Sequence, residues 1–409
     1  MAGRRLRCYP SIVKVELPSR AVKLAQARSR YGDLVDRFLP SLLRSDPLAD
    51  AVADDFAELG REESRRLLDH ALQRGIGSLA EAPNSLRRLF EQLDHVPVWV
   101  DWAAIDRASD VLFRTGFFGG TVLGAKSLVS GYCSPAGNKP LIFTGQLERR
   151  DRVGYRLAET SRFVVDVCER GGMRRYGNGF ASTVRVRIMH AVVRRMIRRS
   201  GRFDEAAWGL PINQHDMVAT TMLFSSAFLE GVRLFGFSIT PEEAGDFMHL
   251  WRYNGWVIGV EPELLPTSEA QAIRLSDLIT ATQAPPDEDS CQLVRALVEA
   301  PIHNAGGDAK AQAMAKRQVD IGYGFTRCMQ GEAMANALDL PRTGARLIVP
   351  AIRGIVRRME RVGRRVPGYD SRLIRAGRTY WDQAIELGLA GRVAQFMPPA
   401  QLEGLLSAA

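Results

Sequence analysis

The sequence is short of several kinds of residue, and each shortage excludes a class of protein. Only six of its 55 basic residues are lysines, and it has six histidines and five cysteines. The cysteine number is odd and no CxxC motif occurs, which argues against a disulfide framework and a structural zinc site. No HExxH motif, Gly-x-Ser-x-Gly motif or complete phosphate-binding loop is present. The familiar hydrolase and nucleotide-binding signatures are therefore missing.

Long apolar runs are also lacking. No stretch of about 18 uncharged apolar residues occurs, so we expect no transmembrane segment. Arg4 and Arg5 form a twin arginine, but no apolar region of a signal peptide follows them. Together with the odd cysteine number, this pattern predicts a cytoplasmic protein.

In other respects the chain has the composition of an ordinary globular protein, with an unusual amount of arginine. Its 409 residues are 46% hydrophobic and 25% charged, and the formal net charge is +9. The arginines are spread along the chain beside 46 acidic residues, whereas a nucleic-acid-binding protein usually gathers its basic residues on one face. We therefore expect no nucleic-acid partner. The planar guanidinium group suits carboxylates, which it binds with two hydrogen bonds.

Hydrophobic periodicity predicts an all-α protein. Nearly every long segment has a helical period, and the alternation typical of strands is scarce. Several helix starts are marked: Thr240, Pro241 and Glu243 have the pattern of a capping box, and Ser268 and Asp370 are plausible caps. Gly116, Gly120 and Gly124 recur every four residues. That spacing makes a smooth helix face, suited to close packing against another helix or a flat cofactor.

One helical segment brings a histidine between two arginines. At 100° per residue, Arg187, His190 and Arg194 share one side of a helix. This could be a solvated basic face with an incidental histidine. Alternatively, His190 could bind a metal or haem, and the arginines could bind haem propionates or orient the site. No companion histidines and carboxylates lie nearby at the spacing of a metal cage, so a lone ligating histidine favours haem.

A second polar group opens the preceding helix. Arg156, Glu159 and Thr160 lie at positions i, i+3 and i+4 and so face together, with Phe163 and Val167 continuing that face. A few polar groups above apolar ones are typical of a pocket wall. An exposed Arg–Glu pair beside a helical threonine is the plainer interpretation.

Four segments in this order resemble the latex-clearing-protein and MpaB-type oxygenase family, over about residues 110–340. They are Arg156-Leu-Ala-Glu-Thr160, Val186-Arg187-Ile-Met-His190-Ala-Val-Val-Arg194, Gly209-Leu-Pro-Ile-Asn-Gln-His-Asp216 and Trp251-Arg252-Tyr253-Asn-Gly-Trp256-Val-Ile-Gly259. In the third segment, Asn213 is a good helix cap, which favours a structural role for the neighbouring His215 and Asp216.

The resemblance implies a globin-like helical core around a b-type haem, with added helices at both ends. It assigns residues 1–110 to an N-terminal helical extension, 111–345 to the haem-binding core and 346–409 to C-terminal helices packed on that core. His190 would be the proximal ligand of the haem iron, and Arg187 and Arg194 would bind the cofactor. Arg156, Glu159 and Thr160 would lie on the distal, catalytic side, where dioxygen is the co-substrate.

The best-known members of that family cleave the double bonds of polyisoprene with dioxygen. They have a lysine where Glu159 stands, and they are exported. We therefore expect a haem b-dependent oxygenase that acts on an apolar small-molecule or polyprenyl substrate, isoprenoid or lipid-like, with oxidative C=C cleavage as the favoured reaction. The alternative is a non-catalytic helical protein that binds haem or lipid. The sequence does not indicate an oligomeric state.

Overall fold

The fold is all-α, as the periodicity predicts. The computed structural model describes residues 16–144, 153–305, 308–392 and 394, and none of these is in a strand. Of the C-terminal helices expected over 346–409, residues 393 and 395–409 lie outside the described part, as do residues 1–15 of the expected N-terminal extension. No helix in the described part is both long and apolar enough to cross a membrane.

The α-helices have the following bounds. They are α1 (Leu24–Tyr31), α2 (Leu34–Phe38), α3 (Pro47–Leu59), α4 (Arg61–Arg74), α5 (Asn84–Asp94), α6 (Trp102–Val122), α7 (Val129–Tyr132), α8 (Pro135–Phe143), α9 (Val153–Cys168), α10 (Asn178–Arg199), α11 (Glu205–Trp208), α12 (Gln214–Phe224), α13 (Ser226–Leu234), α14 (Pro241–Val257), α15 (Glu269–Thr282), α16 (Glu288–Asn304), α17 (Ala309–Gln330), α18 (Glu332–Ala337), α19 (Ile348–Gly363) and α20 (Tyr369–Leu389). Short 3₁₀ turns span Leu39–Leu43, Ile76–Ser78, Pro262–Leu264 and Gly344–Leu347, and a π-helical segment spans Leu123–Leu128.

Local capping chemistry sets two of the predicted helix starts. The Thr240 hydroxyl accepts from the Glu243 amide, and the Glu243 carboxylate accepts from the Thr240 amide, so the capping box of α14 is confirmed. The Ser268 hydroxyl accepts from the Gln271 amide and so caps α15. The prediction for Asp370 is wrong: α20 begins at Tyr369, and Asp370 lies in its first turn. A negative charge in that turn still suits the helix dipole.

The glycine row on α6 makes a close helix–helix contact. Gly116 has a φ of 45°, and a Cβ on it would lie 3.3 Å from the Gly377 Cα of α20. A Cβ on Gly120 would meet the Tyr380 hydroxyl. Packing against protein is therefore confirmed at these two glycines. Gly124, in the π-helical segment, has no atom within 4 Å of its Cβ position.

The largest apolar cluster draws on the N-terminal, central and C-terminal parts of the described chain, while two smaller clusters lie apart, one around Val129 and Val294 and one around Phe143 and Ile197. The largest cluster includes Leu39 near the start, Phe113 and Trp251 in the middle, and Trp381 and Ile385 near the end, all nearly inaccessible to solvent. The N-terminal, central and C-terminal segments expected from the sequence therefore share one core. Burial of this apolar surface is the main stabilising contribution to the fold.

Candidate functional site

The two predicted polar groups lie on a pair of packed helices, α9 and α10. The helices meet at Gly179, where a Cβ would overlap the Asp166 carbonyl oxygen and lie 2.7 Å from the Val167 Cα. His190 lies eleven residues further along α10, and Arg156 lies eleven residues back along α9. At 1.5 Å per residue, each lies about 16 Å along its own helix from this contact. Glu159 and Thr160 lie about one turn closer to it.

His190 is a neutral imidazole that lacks a protein partner on one nitrogen. The residue is half-buried, but its Nδ1 atom is fully buried and has no hydrogen-bond partner among the described residues. Burial, followed by the positive charge of Arg194, lowers the pKa of His190 to about 4, and Asp46 opposes this only weakly. The ring is therefore uncharged near neutral pH, which is the form that binds a metal.

No group of three or more His, Cys, Asp or Glu side chains in the described part of the chain could hold a metal ion.

Arg187 is buried and its guanidinium group is fully engaged with protein. Nε and Nη2 donate to the two carboxylate oxygens of Asp46 at 2.6 and 3.0 Å. Nη2 also donates to the Gln92 side chain at 3.0 Å, and Nη1 donates to the Val257 carbonyl at 3.2 Å. Gly259, with a φ of +98°, passes so close that a Cβ there would overlap Asp46 Oδ2. This packing leaves no room for a larger residue at Gly259.

Arg194 is hydrogen-bonded to the loop before α12. Its Nε donates to the Pro211 carbonyl at 3.1 Å, Nη2 donates to the Ile212 carbonyl at 2.8 Å, and Nη1 pairs with Asp50. The sequence allowed two roles for the arginines flanking His190: binding a cofactor or orienting the site. Their protein partners favour the orienting role, and a contact with the cofactor stays a prediction.

The partners of these arginines form an acidic row along α3, beginning at its N-cap residue Asp46, that was not predicted from the sequence. The row consists of Asp46, Asp50 and Asp54, which recur every four residues and face α10. Asp54 pairs with Arg195 of α10 at 2.7 Å. The spacing was visible in the sequence, and it predicts one acidic helix side. Only the tertiary structure shows that this side faces the arginines of α10.

On α9, the three predicted residues have different surroundings. The Thr160 hydroxyl donates to the Arg156 carbonyl at 2.9 Å, within its own helix. The Arg156 side chain is half-buried and makes no hydrogen bond with the described residues, but its charge reaches Tyr132 of α7. Burial raises the pKa of Tyr132, and Arg156 opposes that rise. Burial, then the charge of Glu159 and a hydrogen bond to it, raise the pKa of Tyr155.

Tyr132 is a residue of this site that could not be predicted from the sequence. It ends a four-residue helix, and neither periodicity nor a motif marked it. The Tyr132 phenol is close enough to the Arg156 guanidinium for that charge to affect its pKa.

An apolar wall follows the polar residues along α9. The Phe163 ring lies 6.3 Å from that of Phe224 and 6.4 Å from that of Trp251, centre to centre. Phe224 and Trp251 stack at 5.0 Å, and the Trp251 Nε1 atom is buried without a hydrogen-bond partner in the part of the chain that the structure describes. The face predicted from Arg156 to Phe163 therefore changes from polar to aromatic within two turns, and its role as a pocket wall stays a prediction.

His215 and Asp216 form a structural cluster. The His215 Nδ1 atom lies 3.0 Å from Asp216 Oδ1, and Asp216 accepts two hydrogen bonds from Arg20 at 2.8 and 2.9 Å. Burial lowers the pKa of His215, outweighing Asp216. Burial would raise the pKa of Asp216, but the Arg20 charge and His215 reverse that effect and lower it. Asn213 caps α12 through the Asp216 amide, as predicted.

Comparisons with known proteins agree with this description. Residues 113–364 match the family model described as "ER-bound oxygenase mpaB/B'/Rubber oxygenase, catalytic domain". The match covers more than half of the chain, which therefore belongs to this family of oxygenase catalytic domains, and the resemblance seen in the sequence is confirmed.

Two particular relatives are known by name. The rubber oxygenase of Streptomyces sp. (strain K30) is 24% identical over 220 residues, which are 52% of this chain and 52% of that protein. The chain thus matches about half the length of this relative. The structure of latex clearing protein LCP in the closed state has a similar fold, with a TM-score of 0.65 at 20% identity. That similarity covers 83% of this chain and 91% of the other.

Proposed function

We propose that the chain is a haem b-dependent oxygenase acting on an apolar, unsaturated isoprenoid or lipid-like substrate, with oxidative C=C cleavage as its reaction. The observation that carries the proposal is the neutral His190 imidazole, whose buried Nδ1 lacks a hydrogen-bond partner among the described residues. Membership of the oxygenase family supports the reaction class. The rubber named for one relative supports an isoprenoid substrate.

The residues present fit a haem. His190 would hold its iron through the imidazole, and α10 is fixed by the pairs Arg187–Asp46 and Arg194–Asp50. A haem bound there supplies the iron that binds and activates dioxygen. The protein's own part is to hold the imidazole neutral, keep the helix in place and provide a shaped apolar surface.

The α9 residues have separate tasks in this proposal. The Arg156 guanidinium, without a hydrogen bond to the described residues, stabilises negative charge on oxygen. The Thr160 hydroxyl proton is committed to the Arg156 carbonyl, so its oxygen is left to accept a hydrogen bond. The Glu159 carboxylate, which is hydrogen-bonded to the Tyr155 phenol, holds or passes a proton. Phe163 and Trp251 form part of the apolar core next to these residues and exclude water.

Oxygen consumption tests the proposal. The full-length chain is loaded with haem and given a polyprenyl alcohol or its fully hydrogenated counterpart, a control with the same size and no double bond. We expect oxygen uptake and carbonyl products only with the unsaturated compound. A haem-loaded chain that binds either compound without consuming oxygen would instead be the non-catalytic binding protein.

A further inference from the structure

Helix α19 exposes an unusual share of the apolar surface. Of the fifteen large apolar side chains exposed among the described residues, six lie between positions 347 and 366. These are Leu347, Ile348, Ile355, Met359, Val362 and Val366. At 100° per residue, those on α19 fall within a sector of about 60°, so they form one stripe along the helix. A concentrated apolar patch of this kind marks an interaction site.

This stripe is distinct from the face that packs on the core. Val349, Val356 and Glu360 are buried, and their positions are centred about 100° away from the stripe. Glu360 faces inward, 3.6 Å from the buried Arg114, and accepts a hydrogen bond from the Ser238 amide. The helix is therefore anchored by one side while a second apolar side faces solvent.

Unpaired arginines cover the rest of the helix surface. Between 348 and 366 there are six arginines and one acid, the buried Glu360. Five of the arginines make no ion pair or hydrogen bond within the described part of the chain. They are Arg353, Arg357, Arg358, Arg361 and Arg365. Several of them line a cavity of about 730 Å³ between α19 and the turn at 236–239.

We propose that α19 is a peripheral docking surface for a lipid bilayer that contains anionic phospholipid. The stripe from Ile348 to Val362 enters the boundary between headgroups and acyl chains, and the arginines beside it bind lipid phosphates. A helix that combines an apolar face with basic residues has the chemistry for this position. A bilayer surface complements both features at once, because it offers apolar depth and negative charge. The inference is independent of the haem chemistry.

Other occupants fit the two features less well. In a symmetric dimer each copy offers the same patch, so the unpaired arginines of two α19 helices would lie close together and repel. A nucleic acid would satisfy the arginines and leave the apolar stripe in water.

Flotation with vesicles tests whether the α19 arginines bind anionic lipid. The full-length chain should bind vesicles of phosphatidylcholine with added phosphatidylglycerol, bind pure phosphatidylcholine much less, and lose binding as salt rises. The combined change Arg357→Gln, Arg358→Gln and Arg361→Gln should weaken binding roughly 100-fold, because each basic residue near an anionic surface contributes about fivefold. The matched control Arg61→Gln, Arg74→Gln and Arg88→Gln removes three exposed, unpaired arginines from α4 and α5 and should bind like wild type.

A second pair of variants tests the apolar stripe. Ile355→Ser, Met359→Ser and Val362→Ser alter side chains that are 60%, 50% and 56% exposed, so the fold should persist, and vesicle binding should fall at least tenfold. The control Leu59→Ser, Ile273→Ser and Leu387→Ser changes exposed apolar residues elsewhere. Equal loss in both triple variants, or no preference for anionic vesicles, would overturn the proposal. So would a dimer that the α19 variant dissociates without any change in vesicle binding.

Discussion

Arg187 of α10 and Asp46 at the start of α3 form a buried two-point ion pair, although 141 positions separate them in the chain. Their nitrogen–oxygen distances are 2.6 and 3.0 Å. The pair joins the N-terminal part of the chain to the helix that carries His190. It therefore holds in place the helix that carries the imidazole.

Removing one partner of this pair should be costly. In Arg187→Ala the Asp46 carboxylate stays buried without its cation, and we expect a loss of about 3–5 kcal/mol in the free energy of unfolding. Equilibrium unfolding in urea measures this. The control is Arg195→Ala, whose partner Asp54 is exposed, and it should lose less than about 1 kcal/mol. Similar losses in the two variants would show that the buried pair does not stabilise the fold.

Gly259 should tolerate no side chain. Its φ of +98° is strained for an L residue, and a Cβ would overlap Asp46 Oδ2 and lie 2.7 Å from Arg187 Nε. We expect Gly259→Ala to destabilise the protein by about 2 kcal/mol or more, measured by urea unfolding. Gly245→Ala is the control, because nothing lies within 4 Å of that position in α14 and alanine favours a helix. A Gly259→Ala variant as stable as Gly245→Ala would contradict this account of the close approach.

The sequence predicted the helices of this fold better than the contacts between them. Periodicity and caps gave the all-α class and the start of α14, because both depend on neighbours along the chain. The same periodicity put Arg187, His190 and Arg194 on one helix side but could not show that Asp46 and Asp50 face the arginines. Those contacts depend on how distant helices pack.

Asp166 should make stability depend on pH. Burial raises its pKa to about 6, more than Arg162 lowers it, so the folded state favours the protonated carboxyl. The stabilisation from protonation is complete below the unfolded pKa, near 3.8, and is lost as pH rises through about 6. We therefore expect Asp166→Asn to be more stable than wild type by about 1–2 kcal/mol at pH 8, and to lose that advantage below about pH 4.

Thermal unfolding across this pH range measures the effect of Asp166→Asn. Asp277→Asn, at an exposed carboxylate on α15, serves as the control and should show no such trend. A stability difference for Asp166→Asn that stays constant from pH 4 to about pH 8 would rule out a raised pKa at Asp166.

Glu159→Gln tests proton handling on α9. The amide keeps the shape of the side chain and loses its charge and acid–base capacity. We expect haem retention to persist, turnover to fall by about 10²–10⁴-fold if the carboxylate moves a proton, and the pKa of Tyr155 to drop because Glu159 raises it. Oxygen uptake as a function of pH, with ultraviolet titration of tyrosine, follows both changes. Unchanged turnover and an unchanged pH profile would make Glu159 a wall residue only.

The visible spectrum of a His190→Ala variant tests the central claim most directly. His190 would be the protein's bond to the haem iron, so the variant should lose most of its haem and its Soret absorbance while helical content stays near that of wild type. His303→Ala, an exposed histidine at the end of α16, is the control and should keep its haem. Full haem occupancy in His190→Ala, with a spectrum identical to wild type, would contradict the assignment.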